Sequence, residues 1–279
     1  MNAQRAAPLI DAHAHLQARQ FDGDRAAVLQ RARAAGVEAI VCSADDETSS
    51  RAAITLANAE PDLWATVGVH PHEAKAADTG TLERLRELAR SPRVVAIGEI
   101  GLDYHYDHSP RDVQRALFAA QLEQLGALGM PVVIHSREAA DDTYAILSGW
   151  RAHAGGERMP GLMHCFGYDA GWAERFLALG FLLSIPGVVT YAKAEQVQRV
   201  AATVPADRFT LETDCPYLAP QSHRGRRNEP AYLPETAGAI AALRGCPAEA
   251  VAAQAAENTR RLFGLPEPRV AAQIHREAT

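Results

Sequence analysis

The sequence predicts an α/β protein whose eight parallel strands and eight helices form a (β/α)8 barrel of the TIM type. Eight short apolar runs rich in β-branched residues alternate with longer stretches whose apolar residues recur at spacings of three and four. No GxGxxG turn follows the first run, which favours a closed barrel over an open doubly wound sheet. A chain of 279 residues is long enough to bury the core of one such barrel.

The predicted strands are continuous apolar segments, as expected for parallel strands covered by helices. In chain order they are PLIDAHAHL, EAIVCS, LWATVGVH, VVAIGEIGLD, PVVIHS, GLMHCF, FLLSI and FTLETD. Helical periodicity is clearest over residues 24–36, 81–90 and 110–129, and residues 245–265 predict a closing helix. Residues 265–279 are expected to be a peripheral tail. We therefore expect a single domain over residues 1–279 with its core over about residues 9–264.

The composition excludes several classes of protein. The formal net charge is −6, so strong non-specific binding to a phosphate backbone is not expected and positive charge must be local. No run approaches a membrane span, and the first residues lack an apolar signal segment. We expect a cytoplasmic protein with no membrane association and no obligatory protein partner. The four cysteines form no CxxC pair, and strand alternation is expected to turn Cys165 and Cys215 away from the candidate site.

Histidines and carboxylates recur at the predicted strand ends. His13 and His15 end the first strand, where alternate residues point to one face. The later strand ends carry His70, Glu99, Asp103, His135, His164 and Asp214. Because the carboxyl ends of barrel strands meet at one mouth, these side chains are expected to converge where barrel enzymes place their chemistry.

Four imidazoles and two carboxylates at one mouth predict a site for divalent cations. These six groups belong to the residues at the strand ends. They suffice for two ions (Mg, Mn or Zn) if Glu99, midway round the ring, bridges them. Two dications and two carboxylates leave a charge of about +2, which suits a phosphate group. The alternative is a metal-free ionic network, in which buried imidazoles would lose hydration without compensation.

Nine short motifs stand along the chain in a fixed order: IDAHAHL, FDGDR, VGVHPHEA, AIGEIGLDY, VIHSREA, HCF, LETDCPYLAP, RGRRNEP and NTRRLFG. Together they resemble the TatD family of metal-dependent hydrolases, a branch of the amidohydrolase-like barrels, over residues 9–264. The resemblance implies a (β/α)8 fold, two divalent metals and phosphoester or deoxyribonuclease activity. It also implies a ligand set for each metal: His13, His15, Glu99 and Asp214 for one, and Glu99, His135 and His164 for the other.

The lysine content supports Glu99 as the bridging group. Many related barrels that open amide, lactone or phosphotriester bonds bridge their metals with a carboxylated lysine on the fourth strand. Here that strand contains no lysine, and the chain has only Lys75 and Lys193. A bridging role therefore falls to Glu99.

Further residues are assigned roles around this site. Asp214 is the candidate for orienting a water and accepting its proton, which makes it catalytic together with Glu99 and His70. His70 and His72 are expected to contact the phosphate or the leaving group, and Glu212 to accept a hydrogen bond from a ligand imidazole. Arg137 and Glu138 are expected to fix their loop. Three arginines after the eighth strand are predicted to bind phosphates, with a solvated loop as the alternative: Arg224, Arg226 and Arg227.

The function predicted from the sequence is a metal-dependent phosphodiesterase, an exodeoxyribonuclease that takes single-stranded DNA end-on. A narrow mouth and an acidic chain favour a flexible strand end over a duplex. One alternative is hydrolysis of a carboxylic ester, lactone or amide, against which the missing lysine stands. The other is a non-catalytic metal-binding regulatory protein, against which the complete ligand set stands.

Overall fold

The strands of the predicted barrel are all present in the computed structural model, which describes residues 7–154 and 159–267. They form one parallel sheet in the sequential order β1 to β8. The strands are Leu9–Ala14 (β1), Val37–Cys42 (β2), Leu63–Val67 (β3), Val94–Asp103 (β4), Val132–Arg137 (β5), Gly161–Met163 (β6), Leu182–Ile185 (β7) and Phe209–Leu211 (β8). The predicted (β/α)8 fold class is confirmed.

A helix follows every strand, and one more helix closes the described chain. The helices are Arg25–Ala34 (α1), Glu47–Ala59 (α2), Thr81–Leu88 (α3), Arg111–Gln124 (α4), Ala140–Ala154 (α5), Ala170–Ala178 (α6), Glu195–Thr203 (α7), Leu233–Arg244 (α8) and Ala248–Phe263 (α9). The predicted helix over 110–129 is shorter than expected, because α4 ends at Gln124 and a 3-10 turn over Gly126–Leu128 follows. The closing helix is confirmed as α9, and the predicted tail beyond residue 267 lies outside the described residues.

Hydrogen bonds between the two edge strands bring the sheet close to a complete ring. The backbone N–H of Asp214, just beyond β8, donates to the His13 carbonyl over 3.0 Å, and the N–H of His15 donates to Cys215 over 2.8 Å. The buried carboxylate of Asp11 accepts from both the backbone N–H and the hydroxyl of Thr213. The closing contacts therefore involve the same segments that carry His13, His15 and Asp214.

Apolar side chains pack in two layers. One layer fills the space between the sheet and the helices, and its largest fully buried members include Phe118, Phe176 and Phe181. The other layer joins residues of the strands to the end of α9, and it contains Ile10, Val95, Val133, Leu162, Leu182, Leu262 and Phe263. Burying each large apolar side chain contributes roughly 1.5–3 kcal/mol. The helix end thus covers the amino ends of the strands, and the opposite ends are left for polar side chains.

Over residues 7–154 and 159–267, no helix is both long and apolar enough to cross a bilayer.

Candidate metal centre

The candidate ligands come from strand ends and from the first residues beyond them. His13 lies within β1 and His15 directly follows it, and His164 directly follows β6. His70 and Asp214 each stand three residues beyond the last residue of their strands, β3 and β8. Glu99 differs from the expectation, because it lies in the middle of β4, whose pairing with β5 continues to Asp103. All eight strand ends still face one mouth, so the side chains converge.

The carboxylate of Glu99 is the centre of this cluster. Its Oε2 atom lies 3.2 Å from Nε2 of His13 and 3.7 Å from Nε2 of His15. Its Oε1 atom lies 2.7 Å from Nδ1 of His135, 3.4 Å from Nε2 of His70 and 3.5 Å from Nε2 of His164. The two oxygens of one buried carboxylate therefore face two different sets of imidazoles.

The Oε2 side, defined as His13, His15 and Asp214 with Oε2 of Glu99, is compact and buried. The Nε2 atoms of His13 and His15 are 3.1 Å apart, which confirms that the two side chains share a face. Oδ1 of Asp214 lies 3.4 Å from the His15 Nε2 atom and 3.7 Å from that of His13. Asp214 reaches this position with a φ of 56°, a left-handed conformation that aspartate adopts more readily than most residues.

The Oε1 side, defined as His70, His135 and His164 with Oε1 of Glu99, depends on close backbone packing. A Cβ atom at Gly101 would overlap the carbonyl oxygen of His135 on the neighbouring strand, and Gly101 has a φ of 141°. Only glycine fits this combination of close approach and backbone angle. Gly101 therefore lets β4 and β5 approach closely enough for Glu99 to reach His135.

Several polar groups outside the cluster orient its imidazoles. Glu212 faces Nδ1 of His164 at 3.1–3.2 Å and accepts a 2.7 Å hydrogen bond from the backbone N–H of Cys165. This is the contact that the sequence predicts for Glu212. Asp103 Oδ2 lies 3.0 Å from Nε2 of His135, and the Ser43 hydroxyl lies 2.9 Å from Nδ1 of His13. Such partners fix which ring nitrogen faces the centre.

The electrostatic balance keeps the carboxylates ionised. Burial alone would raise the pKa of Glu99, but the nearby imidazoles of His164, His70 and His13 hold it well below its usual range. The pKa of Asp214 is also lowered. Burial would raise it, but nearby imidazoles, with His164 contributing most, outweigh that effect. Two buried anions within one cluster favour the binding of cations.

The histidines respond in opposite directions. Burial lowers the pKa of His164, but Glu212, Glu99 and Asp214 outweigh it and raise the value to about 10. His15 is likewise raised to about 9, because Asp45 and Asp214 outweigh burial. Burial dominates at His70 and lowers its pKa to about 4, and it also lowers that of His13. Without a metal, some of these imidazoles would therefore be protonated. A divalent cation that binds to them would displace those protons.

The donor set fits divalent cations. Ligand atoms of His13, His15 and Asp214 lie within 4.8 Å of one another, as do those of His13, Glu99 and His164 and those of His70, Glu99 and His135. Imidazole nitrogens with carboxylate oxygens are the donors that zinc and manganese accept, and the carboxylates also suit magnesium. The Nδ1 atom of His15 is buried without a hydrogen-bond partner, and the carboxylate of Asp45 lies 3.6 Å from it.

His70 belongs to the Oε1 side and His72 lies next to it, with 4.3 Å between the ring centroids, and the two histidines have different settings. The backbone N–H of His72 donates to Nδ1 of His70 over 3.1 Å, so in neutral His70 the proton is on Nε2, which faces Glu99. His72 is half-buried, and its Nε2 atom lies 3.0 Å from Asp103. His70 is therefore arranged as a hydrogen-bond donor towards the cluster.

The three predicted phosphate-binding arginines differ from one another. Arg227 forms a bidentate ion pair with Asp24 at 2.7 Å and donates to the Gln20 carbonyl, so its guanidinium already has partners. Arg224 and Arg226 are exposed, and among residues 7–154 and 159–267 neither forms an ion pair. The charge available in this loop is thus that of Arg224 and Arg226.

Two residues of the site were not anticipated. Asp45, three residues beyond β2, lies 3.6 Å from Nδ1 of His15, and the strand-end pattern that found the histidines would also have found it. The expectation for Cys165 was wrong: its thiol lies with the ligand atoms of His164 and Asp214. A φ of 46° at Cys165 breaks the strand alternation on which that expectation rested. Burial raises the pKa of this thiol well above its usual range, so it is not an activated nucleophile.

Comparison with known proteins agrees with this geometry. Residues 10–264 match the family described as TatD related DNase. The chain is 39% identical over 257 residues to a Bacillus subtilis protein named "Uncharacterized metal-dependent hydrolase YabD", covering 92% of this chain and 99% of that protein. It is 38% identical over 263 residues to the "3'-5' ssDNA/RNA exonuclease TatD" of Erwinia tasmaniensis, covering 92% and 100%.

A solved structure shares the fold. The crystal structure of YJJV, a TatD homologue from Escherichia coli K12, superposes with a TM-score of 0.86 at 32% identity, covering 92% of this chain and 98% of the other. The family match extends over nearly all of the barrel, from the second residue of β1 to the end of α9, and it spans every candidate ligand position. The chain therefore belongs to the TatD family of metal-dependent hydrolases.

Proposed function

We propose that this hydrolase is a phosphodiesterase that uses two divalent cations to remove nucleotides from the end of single-stranded DNA. The main observation behind the proposal is that the two oxygens of the Glu99 carboxylate face different imidazoles. Oε2 faces His13 and His15, and Oε1 faces His135 and His164, so one anion serves two groups of imidazoles. A mononuclear site would need only one of these groups.

The proposal assigns residues to each ion. His13, His15 and Asp214 with Oε2 of Glu99 would hold one, and two imidazoles with Oε1 would hold the other: His135 and His164. When bound, such a pair of cations lowers the pKa of a water and neutralises charge on a phosphodiester. The site lacks a bridging lysine, and Glu99 is the bridging candidate that its geometry offers.

The protein's own groups would then position the reactants. Asp214 remains ionised beside His15 and His13, and it would orient the attacking water and accept its proton. His70 would donate a hydrogen bond from Nε2 to a phosphate or leaving-group oxygen, since its Nδ1 atom already accepts one from the backbone. Glu212 would keep His164 in the orientation that directs Nε2 to the centre.

The substrate class rests on the relatives and on the charge of the chain. Relatives that are 38% identical are named 3'-5' ssDNA/RNA exonucleases, which supports a nucleic acid strand as the substrate. With a net charge of −6, the chain is poorly suited to grip the backbone of a duplex over several turns. The candidate ligands also lie at the mouth of a barrel, where a flexible strand end enters more easily than a stiff double helix.

The test compares a linear single-stranded DNA oligonucleotide, its covalently closed circle, a blunt duplex and a linear RNA of the same sequence. Each is incubated at low salt with magnesium, manganese or zinc. We expect stepwise shortening of the linear DNA while the circle stays intact. Equal cutting of circle and linear strand would mean internal cleavage and would contradict end-on entry. Hydrolysis of carboxylic esters or lactones with no action on any phosphodiester would overturn the proposed substrate class.

A further inference from the structure

A group of aromatic rings extends from the candidate metal centre to the protein surface. We call it the Tyr106 rim and define it as His72, His105, Tyr106 and His108 with the guanidinium of Arg137. The ring of His72 lies 4.3 Å from that of His70, centroid to centroid, and 6.2 Å from that of His135. From His72 the contacts continue to His108 at 4.6 Å and to Tyr106 at 5.5 Å. The rim is therefore continuous with the Oε1 side.

Tyr106 is exposed although it is large and aromatic. Its relative exposure is 51%, and it is one of five large apolar side chains that are exposed in the described parts of the chain. Its ring stacks on that of His108 with an angle of 10° between the planes and a centroid separation of 5.5 Å. An exposed aromatic ring beside a hydrolytic site is a feature on which bases of a single strand can stack.

Asp103 fixes the position of the rim relative to the metal centre. Its Oδ1 atom accepts hydrogen bonds from the backbone N–H groups of His105, at 3.0 Å, and Tyr106, at 2.8 Å. Its Oδ2 atom lies 3.0 Å from Nε2 of both His135 and His72. One buried carboxylate thus joins the rim backbone to a candidate ligand, so the aromatic face is held in place before any substrate binds.

Arg137 supplies a positive charge at the rim. Its guanidinium lies 4.8 Å from the centroid of the Tyr106 ring, and its backbone is two residues beyond His135. In the described parts of the chain, no carboxylate forms an ion pair with it. The nearby carboxylates are already paired, Glu138 with His105 at 2.7 Å and Asp107 with Arg111 at 2.7 Å. Arg137 therefore remains available for a phosphate.

We propose that the Tyr106 rim is a nucleotide-binding subsite, in which a base next to the scissile phosphodiester stacks on Tyr106 and a neighbouring phosphate binds Arg137. This inference rests on the proposed function, and it gives that function a physical reason to require a single strand. In a duplex both faces of an internal base are covered by its neighbours and its edge is paired, whereas the base of a strand end is free to stack on a protein ring. Stacking accepts any base, so the subsite would favour single strands without selecting a sequence.

The kinetic test uses Tyr106→Ala, Tyr106→Phe and, as a matched surface control, Leu243→Ala on α8. Leu243 is also exposed, at 41%, and it lies outside the site. We expect Tyr106→Ala to raise the KM for single-stranded DNA by roughly 5- to 100-fold, the range of one base–aromatic stack, with kcat little changed. Tyr106→Phe keeps the ring and should stay within about two-fold of the wild type.

Abasic substrates then show whether the lost contact is with a base. Oligonucleotides carrying abasic sites at their terminal positions should raise the wild-type KM to the level of Tyr106→Ala, and the variant should show no additional loss on them. Arg137→Gln should reduce the slope of log KM against log salt by about 0.7, as expected for one phosphate contact to a single strand. Equal KM values for wild type and Tyr106→Ala on intact DNA would overturn the subsite.

A binding measurement keeps this inference separate from the proposed activity. Metal-free protein in EDTA is titrated against a single strand with 2-aminopurine at each end in turn, so that no cleavage occurs. Quenching by the wild type that is lost in Tyr106→Ala supports the subsite, even if no hydrolysis of nucleic acid is found. Identical quenching, or none with either protein, overturns it. A wild type that shortens DNA while Tyr106→Ala behaves identically would refute the subsite and leave the proposed function standing.

Discussion

The two sides of the Glu99 carboxylate differ in how their imidazoles are held. On the Oε2 side, His13 and His15 face a second carboxylate directly, that of Asp214. On the Oε1 side, the carboxylates of Asp103 and Glu212 contact the opposite nitrogens of the rings and so orient them from behind. The first side thus has two carboxylates that face both of its imidazoles, whereas on the second side Asp214 reaches only His164, at 4.0 Å from Nε2. Because different groups position the imidazoles on the two sides, substitutions on each side should affect metal binding differently.

The largest expected effect comes from the residue that both sides share. Glu99→Gln preserves the size and shape of the side chain but removes the negative charge that both sides share. Both sides should therefore bind metal more weakly. Activity should fall on the order of 1,000-fold or more, because several kcal/mol of transition-state stabilisation depend on the metals. Metal content by elemental analysis and a turnover assay test this, with the exposed Glu87→Gln as control. Unchanged activity in a folded Glu99→Gln protein would refute the dinuclear proposal.

The second prediction separates the two sides. Asp214→Asn should weaken one of two manganese-binding steps and leave the other, and His135→Asn should do the reverse. We expect the loss of affinity in Asp214→Asn to exceed the roughly 10- to 100-fold typical of losing an orienting partner, since a charge facing the ion is removed. Calorimetric titration of each variant provides the measurement. If both variants weakened the same step, the division of the cluster into two sides would be wrong.

A smaller effect on metal binding is expected from Asp103, which contacts His135 on the ring nitrogen opposite Glu99. Asp103→Asn leaves every ring of the Oε1 side in place but weakens the contact that orients His135. We expect a loss of about 10- to 100-fold in metal affinity at that side, with the Oε2 side unaffected. Asp207→Asn, an exposed carboxylate far from the site, is the control. Equal losses on both sides would show that Asp103 supports the whole fold rather than one side.

The smallest effects concern the arginine loop that follows Asp214 on the Oε2 side. Arg224→Ala and Arg226→Ala should each raise the KM for DNA by a few-fold, roughly one exposed charge contact, with metal content constant. Arg227→Ala should instead lower the melting temperature, because it removes the bidentate contact to Asp24. The exposed Arg199→Ala is the control. An arginine loop that affects neither KM nor stability would be a solvated loop without function.

The fold could be predicted from the sequence because its signal repeats. Each strand is a short apolar run, and each helix has its own periodicity. A wrong boundary for one element therefore leaves the repeating strand–helix pattern, and with it the predicted fold class, unchanged. The predicted helix over 110–129 shows the limit, since it ends at Gln124 where a 3-10 turn begins. The convergence of the candidate ligands was predictable for the same reason: strand ends of a barrel share one mouth, and residue type marks the candidates.

Individual side-chain directions were less predictable. The backbone of Cys165 adopts a φ of 46°, and that rotation brings its thiol to the site, contrary to simple alternation. Arg227 looked equivalent to Arg224 and Arg226 in the sequence, yet it pairs with Asp24, about 200 residues earlier in the chain. The positions of Asp45 and of the Tyr106 rim likewise depend on contacts between segments that are distant along the chain or poorly periodic.

The sequence by itself determined the class of fold, the candidate donor residues and the absence of a lysine from the fourth strand, because these follow from residue type and from a repeating local pattern. Only the tertiary structure decided which oxygen of Glu99 faces which imidazoles, which ring nitrogens point inward and which arginine remains unpaired. Those outcomes depend on the approach of strands and loops to within about 3 Å, and hydrogen bonds of this length are set by packing rather than by local propensity.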